Sequence, residues 1–101
     1  MSRTQIYVGI DQDTHGGMTP TGMIIRDAWM FGLLPETETC AGWSQNRVQE
    51  LYDHVFHAWE PYGHMVSRLT PELRARHERI YGEAVARARV LGWAPDLEAE
   101  E

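Results

Sequence analysis

Thr19-Pro20 and Thr70-Pro71 are the same signature written twice in this chain: a hydroxyl residue able to cap a helix, then a proline at the first helical position. There the missing N–H removes no hydrogen bond, and the fixed φ already suits the helix. Ser44 supplies a third cap. These starts, with breaks at Pro35, Pro61, Gly63 and Gly92, divide the sequence into three principal helices. The first runs from Pro20 to about Leu34, the second from Ser44 to about Glu60, and the third from Thr70 to Gly92. The fold class expected is mainly α, a compact irregular bundle, because the breaks are unevenly spaced.

Each segment has an apolar pattern suited to packing. In the first, Ile24, Ile25, Ala28, Trp29, Phe31 and Leu33 leave only a narrow polar side at Arg26 and Asp27, so it reads as the central, largely buried element. Ala28 and Gly32, four apart, offer a groove for close approach of another helix. In the second, Val48, Leu51, Tyr52, Val55 and Trp59 share one face, with Tyr62 a further candidate. In the third, Leu73, Ile80, Tyr81, Ala84, Ala88 and Leu91 form the buried stripe, while Glu72 and the pair Arg87 and Arg89 suit the two ends of the helix dipole. His77 falls within that stripe and reads as a core histidine with satisfied ring nitrogens. The arginines of this helix alternate with Glu72, Glu78 and Glu83, as on an ion-paired solvated face.

One domain is expected over residues 1–93, followed by an acidic, flexible tail at 94–101. An apolar share of 43% in 101 residues is enough for one packed core, and four Trp with four Tyr should dominate it. The net charge of −6 argues against nucleic acid and against anionic membrane surfaces, both of which call for a cationic face. All nine basic residues are arginine, which reads as compositional bias. The single cysteine, Cys40, forbids an internal disulfide and reads as a small buried hydrophobe. No apolar run is long enough for a membrane span or a signal-peptide core. A soluble, cytoplasmic protein is the expectation.

Residues 5–10 read as a short N-terminal β-strand, Ile6, Val8 and Ile10 alternating with Tyr7 and Gly9. No second strand is legible, so its backbone groups call for a partner. That points to a homodimer or to an edge on another protein, with Ile6, Tyr7, Val8 and the aromatic Trp43 as the partner-binding residues.

The loop after the strand, Asp11-Gln12-Asp13-Thr14-His15-Gly16, opens with the spacing of a calcium loop. Its fifth position is His, and its twelfth is Gly22 in place of a glutamate. Imidazole with carboxylate suits zinc or iron(II) better, giving Asp11, Asp13 and His15 as metal-ligand candidates. A polar turn whose aspartates bond their own backbone competes with that reading. A glycine pair before a helix also suits an anion, but the two aspartates would repel one.

On the second helix, Glu50 with His54 and Asp53 with His57 are four apart, and His64 could complete a second metal site. A solvated polar face competes with it.

The function expected is a small non-catalytic interaction or accessory protein that binds a protein partner or itself through the strand and aromatic surface. The alternative is a metal-binding protein or metal-dependent enzyme, holding a divalent ion at Asp11, Asp13 and His15.

Overall fold

The structure, a computed structural model, describes residues 6–93. Helices α1 (Pro20–Phe31), α2 (Gln45–Trp59) and α3 (Pro71–Val90) make it mainly α. Each starts where a side-chain oxygen meets a free N–H. The Thr19 hydroxyl accepts from Gly22 N at 3.0 Å, that of Ser44 from Arg47 N at 3.2 Å, and that of Thr70 from Leu73 N at 3.2 Å. Short 3-10 turns occupy 10–12, 14–16, 60–62 and 66–68. No helix among the described residues is long and apolar enough to cross a membrane.

α1 packs against both α2 and α3, the central place expected of it. Two apolar clusters result. One joins Ile10, Ile25, Ala28, Cys40, Trp43, Leu51 and Val55, and the other joins Met30, Leu69 and Ile80. Trp29 and Trp59 pack against both clusters. Phe31 meets the Trp59 ring edge-on at 5.2 Å and stacks on Tyr62 at 6.1 Å, pinning the end of α1 to the end of α2. Asp27 reaches both neighbours at once: it accepts from Trp59 Nε1 at 3.1 Å and from the Tyr81 hydroxyl at 2.6 Å.

Three expectations need correction. α1 ends at Phe31, before Pro35, because Gly32 takes a left-handed conformation (φ 77°). A Cβ on Gly32 would meet nothing within 4 Å, so Ala28 and Gly32 do not form a packing groove. The N-terminal strand is not formed among the described residues: Ile6 makes an isolated antiparallel bridge with Ser44. Tyr7 N donates to Trp43 O at 2.9 Å, Gly42 N to Tyr7 O at 2.8 Å, and Ile10 N to Thr39 O at 3.0 Å. The segment therefore finds a partner in its own chain, but no regular ladder follows. Gly9 (φ 97°) turns it on one side, while Cys40 (φ 64°) and Gly42 (φ 83°) bend the connector on the other. The start of that strand at residue 5 and the tail at 94–101 lie outside the described residues.

Arg26 departs from its sequence pattern as well. Grouped with the narrow polar side in sequence, it is 4% exposed, with Nη1 donating to Gly17 O at 2.7 Å and Nη2 to Gly16 O at 2.6 Å. It thereby straps the 11–18 loop onto α1. The loop comes so close that the Gly17 carbonyl fills the space a Cβ on Gly22 would need.

Candidate partner-binding face

The loop read as a metal site is organised around hydrogen bonds to Asp13. Its Oδ2 accepts from the Tyr7 hydroxyl at 2.7 Å and the Thr19 hydroxyl at 2.6 Å, and its Oδ1 from Thr14 N at 2.7 Å. Burial alone would raise the Asp13 pKa, but the bonds from Thr19, Tyr7 and Thr14 outweigh it and hold the carboxyl below its ordinary value. Because Thr19 donates its proton to Asp13, its lone pairs are turned to Gly22 N, so one carboxylate also sets the α1 cap. Burial, together with the Asp13 charge, raises the Tyr7 phenol in turn.

Asp11 is exposed, with its nearest cation, Arg87, at 4.0 Å. His15 sits in a left-handed backbone conformation, φ 50°. Among the described residues, no group of three or more His, Cys, Asp and Glu side chains is arranged to hold a metal ion. That covers Asp11, Asp13 and His15 as well as the α2 set. There His54 and His57 are exposed, His57 Nδ1 stands 3.4 Å from Glu60, and Gln49 donates to Asp53 at 3.4 Å. His64 instead lies against the Phe56 ring at 4.6 Å, and His77 against Tyr81 at 4.5 Å.

The four partner-binding candidates divide in two. Ile6 and Val8 point outward, 59% and 58% exposed. Tyr7, between them, turns inward to Asp13. Trp43 is 9% exposed and serves as a wall, with the Arg47 guanidinium stacked 3.9 Å from its ring centre. That wall is shared by two hollows. One, of about 530 Å³, lies along Ile6, Tyr7, Asn46, Val48 and Gln49; the other, of about 310 Å³, lies along Leu33, Leu34, Leu51 and His54. The sequence offered no sign of either hollow, since they arise where the connector and α2 meet.

Tyr7 directs its N–H and C=O to the connector, so by strand alternation the backbone groups of Ile6 and Val8 face the opposite way. Val8 makes no backbone hydrogen bond among the described residues. An apolar edge whose backbone donors and acceptors are open among the described residues thus borders the larger hollow.

Cys40 is fully buried on a left-handed turn beneath this face. Burial first, and the Glu38 charge second, push its thiol up to about 11, leaving almost no thiolate at neutral pH. Native protein should therefore resist iodoacetamide, and the same protein in urea should alkylate fully, as read by mass spectrometry. Fast alkylation of the native form would contradict a closed, protonated thiol.

Comparison of the chain with protein-family models, with curated proteins and with solved structures finds no match.

Proposed function

We propose that this chain is a small interaction or accessory protein that takes an extended segment of a protein partner along the outer edge of residues 6–8. The observation that carries the reading is the open backbone of Val8 on an edge whose outward side chains, Ile6 and Val8, are apolar, next to a hollow large enough for partner side chains. Edges of this kind bind by strand addition, where main-chain hydrogen bonds supply affinity and alternate side-chain pockets supply selectivity. Trp43 with its stacked Arg47 gives the adjoining wall an aromatic and a cation, two residue types enriched where partners bind.

The test is a photo-crosslinking residue at Val8, compared with one at the exposed Glu78 of α3, in extract of the source cells. A single crosslinked partner is expected from Val8 and none from Glu78. Ile6→Glu with Val8→Glu should weaken that partner at least about tenfold, because charge enters an apolar edge, and should change stability by less than about 0.5 kcal/mol. Light scattering on the same samples reports self-association. A doubled mass lost in the double variant would make the partner a second copy. Equal crosslinking from both positions would remove the proposal.

A further inference from the structure

One buried charge has no carboxylate in contact with it, although the charges of Asp13 and Asp11 act on it from farther away. Arg26 is 4% exposed, and the acceptors it has are neutral: the Gly17 and Gly16 carbonyls at 2.7 and 2.6 Å, and Met18 Sδ at 3.9 Å from Nη1. Its Nε–H makes no hydrogen bond, and no carboxylate oxygen comes within 4.0 Å of the guanidinium, among the described residues. A cation taken out of water is costly unless an anion faces it.

Arg26 lines a hollow of about 370 Å³, within the size range of small-molecule sites. Ile10, Trp29, Ile80 and Ala84 supply its apolar walls, and Arg87 a second guanidinium. Arg87 lies across Gly16, its Nε 3.2 Å from where a Cβ on that glycine would sit, and the Gly16 carbonyl is one that Arg26 holds. Two like charges thus face one space, where each raises the cost of the other.

The acidic groups at the same hollow decide what kind of anion fits. Glu36 is held in a two-pronged pair by Arg79 at 2.7 and 3.0 Å, Glu83 stands 4.0 Å from Arg79, and Asp11 stands 4.0 Å from Arg87. None of them pairs with Arg26 within 4.0 Å, although the Asp11 charge is felt there, and together they would repel the second charge of a phosphate dianion or a dicarboxylate. The apolar walls ask for a hydrocarbon tail.

We infer that this hollow binds a small organic monocarboxylate, its carboxylate between Arg26 and Arg87 and its tail against Ile10, Trp29 and Ile80. A guanidinium matches a carboxylate in geometry as well as charge, and Arg26 is already held in place by the two glycine carbonyls.

The experiment is a titration of the ¹⁵N-labelled full chain with butyrate, followed at the Arg26 Nε–H and the Trp29 Nε1–H. Butyramide serves as the uncharged isostere and inorganic phosphate as the dianion, all at constant ionic strength. Saturable shifts at both groups are expected with butyrate. Butyramide should give none, and phosphate should bind more weakly.

Two surface variants carry opposite signs, and their folding is checked by an otherwise unchanged spectrum. Arg87→Gln should weaken butyrate about tenfold through loss of a charge-assisted contact. Glu83→Gln should tighten it about twofold by removing a repelling, solvent-screened charge. Shifts that stay linear in butyrate, equal shifts with butyramide, tighter binding of phosphate, or two variants that leave the midpoint unmoved would each overturn the assignment.

Discussion

Gly22→Ala should destabilise the protein by about 3 kcal/mol and lower its Tm by about 15 °C, although the same change in an ordinary helix interior is worth about 0.5–1 kcal/mol of added stability. The reversal comes from the loop. Gly22 lies in the first turn of α1, and the methyl group of an alanine there would coincide with the Gly17 carbonyl, whose carbonyl carbon and Cα are also within 2.9 Å. That carbonyl cannot simply swing aside, because it is the acceptor for the buried Arg26. Relief of the clash therefore breaks the strap across the loop and leaves a buried guanidinium short of an acceptor. Gly82 is the matched control: it is also inside a helix, α3, but a Cβ there meets nothing within 4 Å. Gly82→Ala should raise stability by about 0.5–1 kcal/mol. Urea unfolding of the two variants, followed by circular dichroism, separates the cases, and parallel changes would refute the close approach.

Asp27 supports a second large prediction. The Tyr81 hydroxyl stands 2.6 Å from Asp27 Oδ1 and 3.0 Å from Met23 O, two acceptors for a single proton. Both bonds can be strong when the carboxyl is protonated, donating to Tyr81 while Tyr81 donates to Met23. Burial raises the Asp27 pKa and outweighs the opposing bonds from Tyr81 and Trp59 and the charge of His77.

The sign of the pH effect follows from that direction. A carboxyl raised on folding binds protons more readily in the folded chain. Its contribution is full below the unfolded value of 3.8 and is lost as pH rises through the folded value. Asp27→Asn mimics the protonated acid, with a donor for Tyr81 and an acceptor for Trp59. It should match the parent in acid, equal or exceed it at neutral pH, and flatten the fall between. Asp27→Ala should cost about 2–3 kcal/mol in acid and less as pH rises, since it leaves the Trp59 N–H unpaired and the Tyr81 hydroxyl with Met23 O alone. Asp13, with its lowered pKa, acts oppositely: its contribution is present above the unfolded value and lost as pH falls through the folded one. Asp13→Asn is therefore the background in which the Asp27 profile should be read. If Asp27→Asn kept the parent's full pH slope, this assignment would be disproved.

The three helix starts were legible because a cap is decided within four residues: Thr19, Ser44 and Thr70 each satisfy the N–H three positions on. The central place of α1 followed from its width of apolar surface. What the sequence concealed depends on partners brought from a distance. Arg26 looks solvated on a helical wheel, yet the carbonyls that hold it are nine and ten residues earlier, on a loop that folds back. Gly22 reads in sequence as a missing calcium ligand and is a point of close backbone approach. Asp13 stands out for its chemistry, but two hydroxyls, each six residues away, bond to its Oδ2. The expected alternation holds only over 6–8, with Tyr7 inward and Ile6 and Val8 outward; Ile10, expected on the face of Ile6 and Val8, is buried. Its regularity fails on the left-handed turns of the connector, which periodicity does not report.

Trp29 and Trp59 each belong to the edges of both apolar clusters, so neither cluster can loosen without exposing rings that the other needs. Separate melting of the α2 side and the α3 side would leave large aromatic surfaces half covered, an unfavourable intermediate. The consequence is cooperativity: the three helices form one exchange unit, in which the slowest amides of α1, α2 and α3 share a single opening free energy despite the division of the core in two.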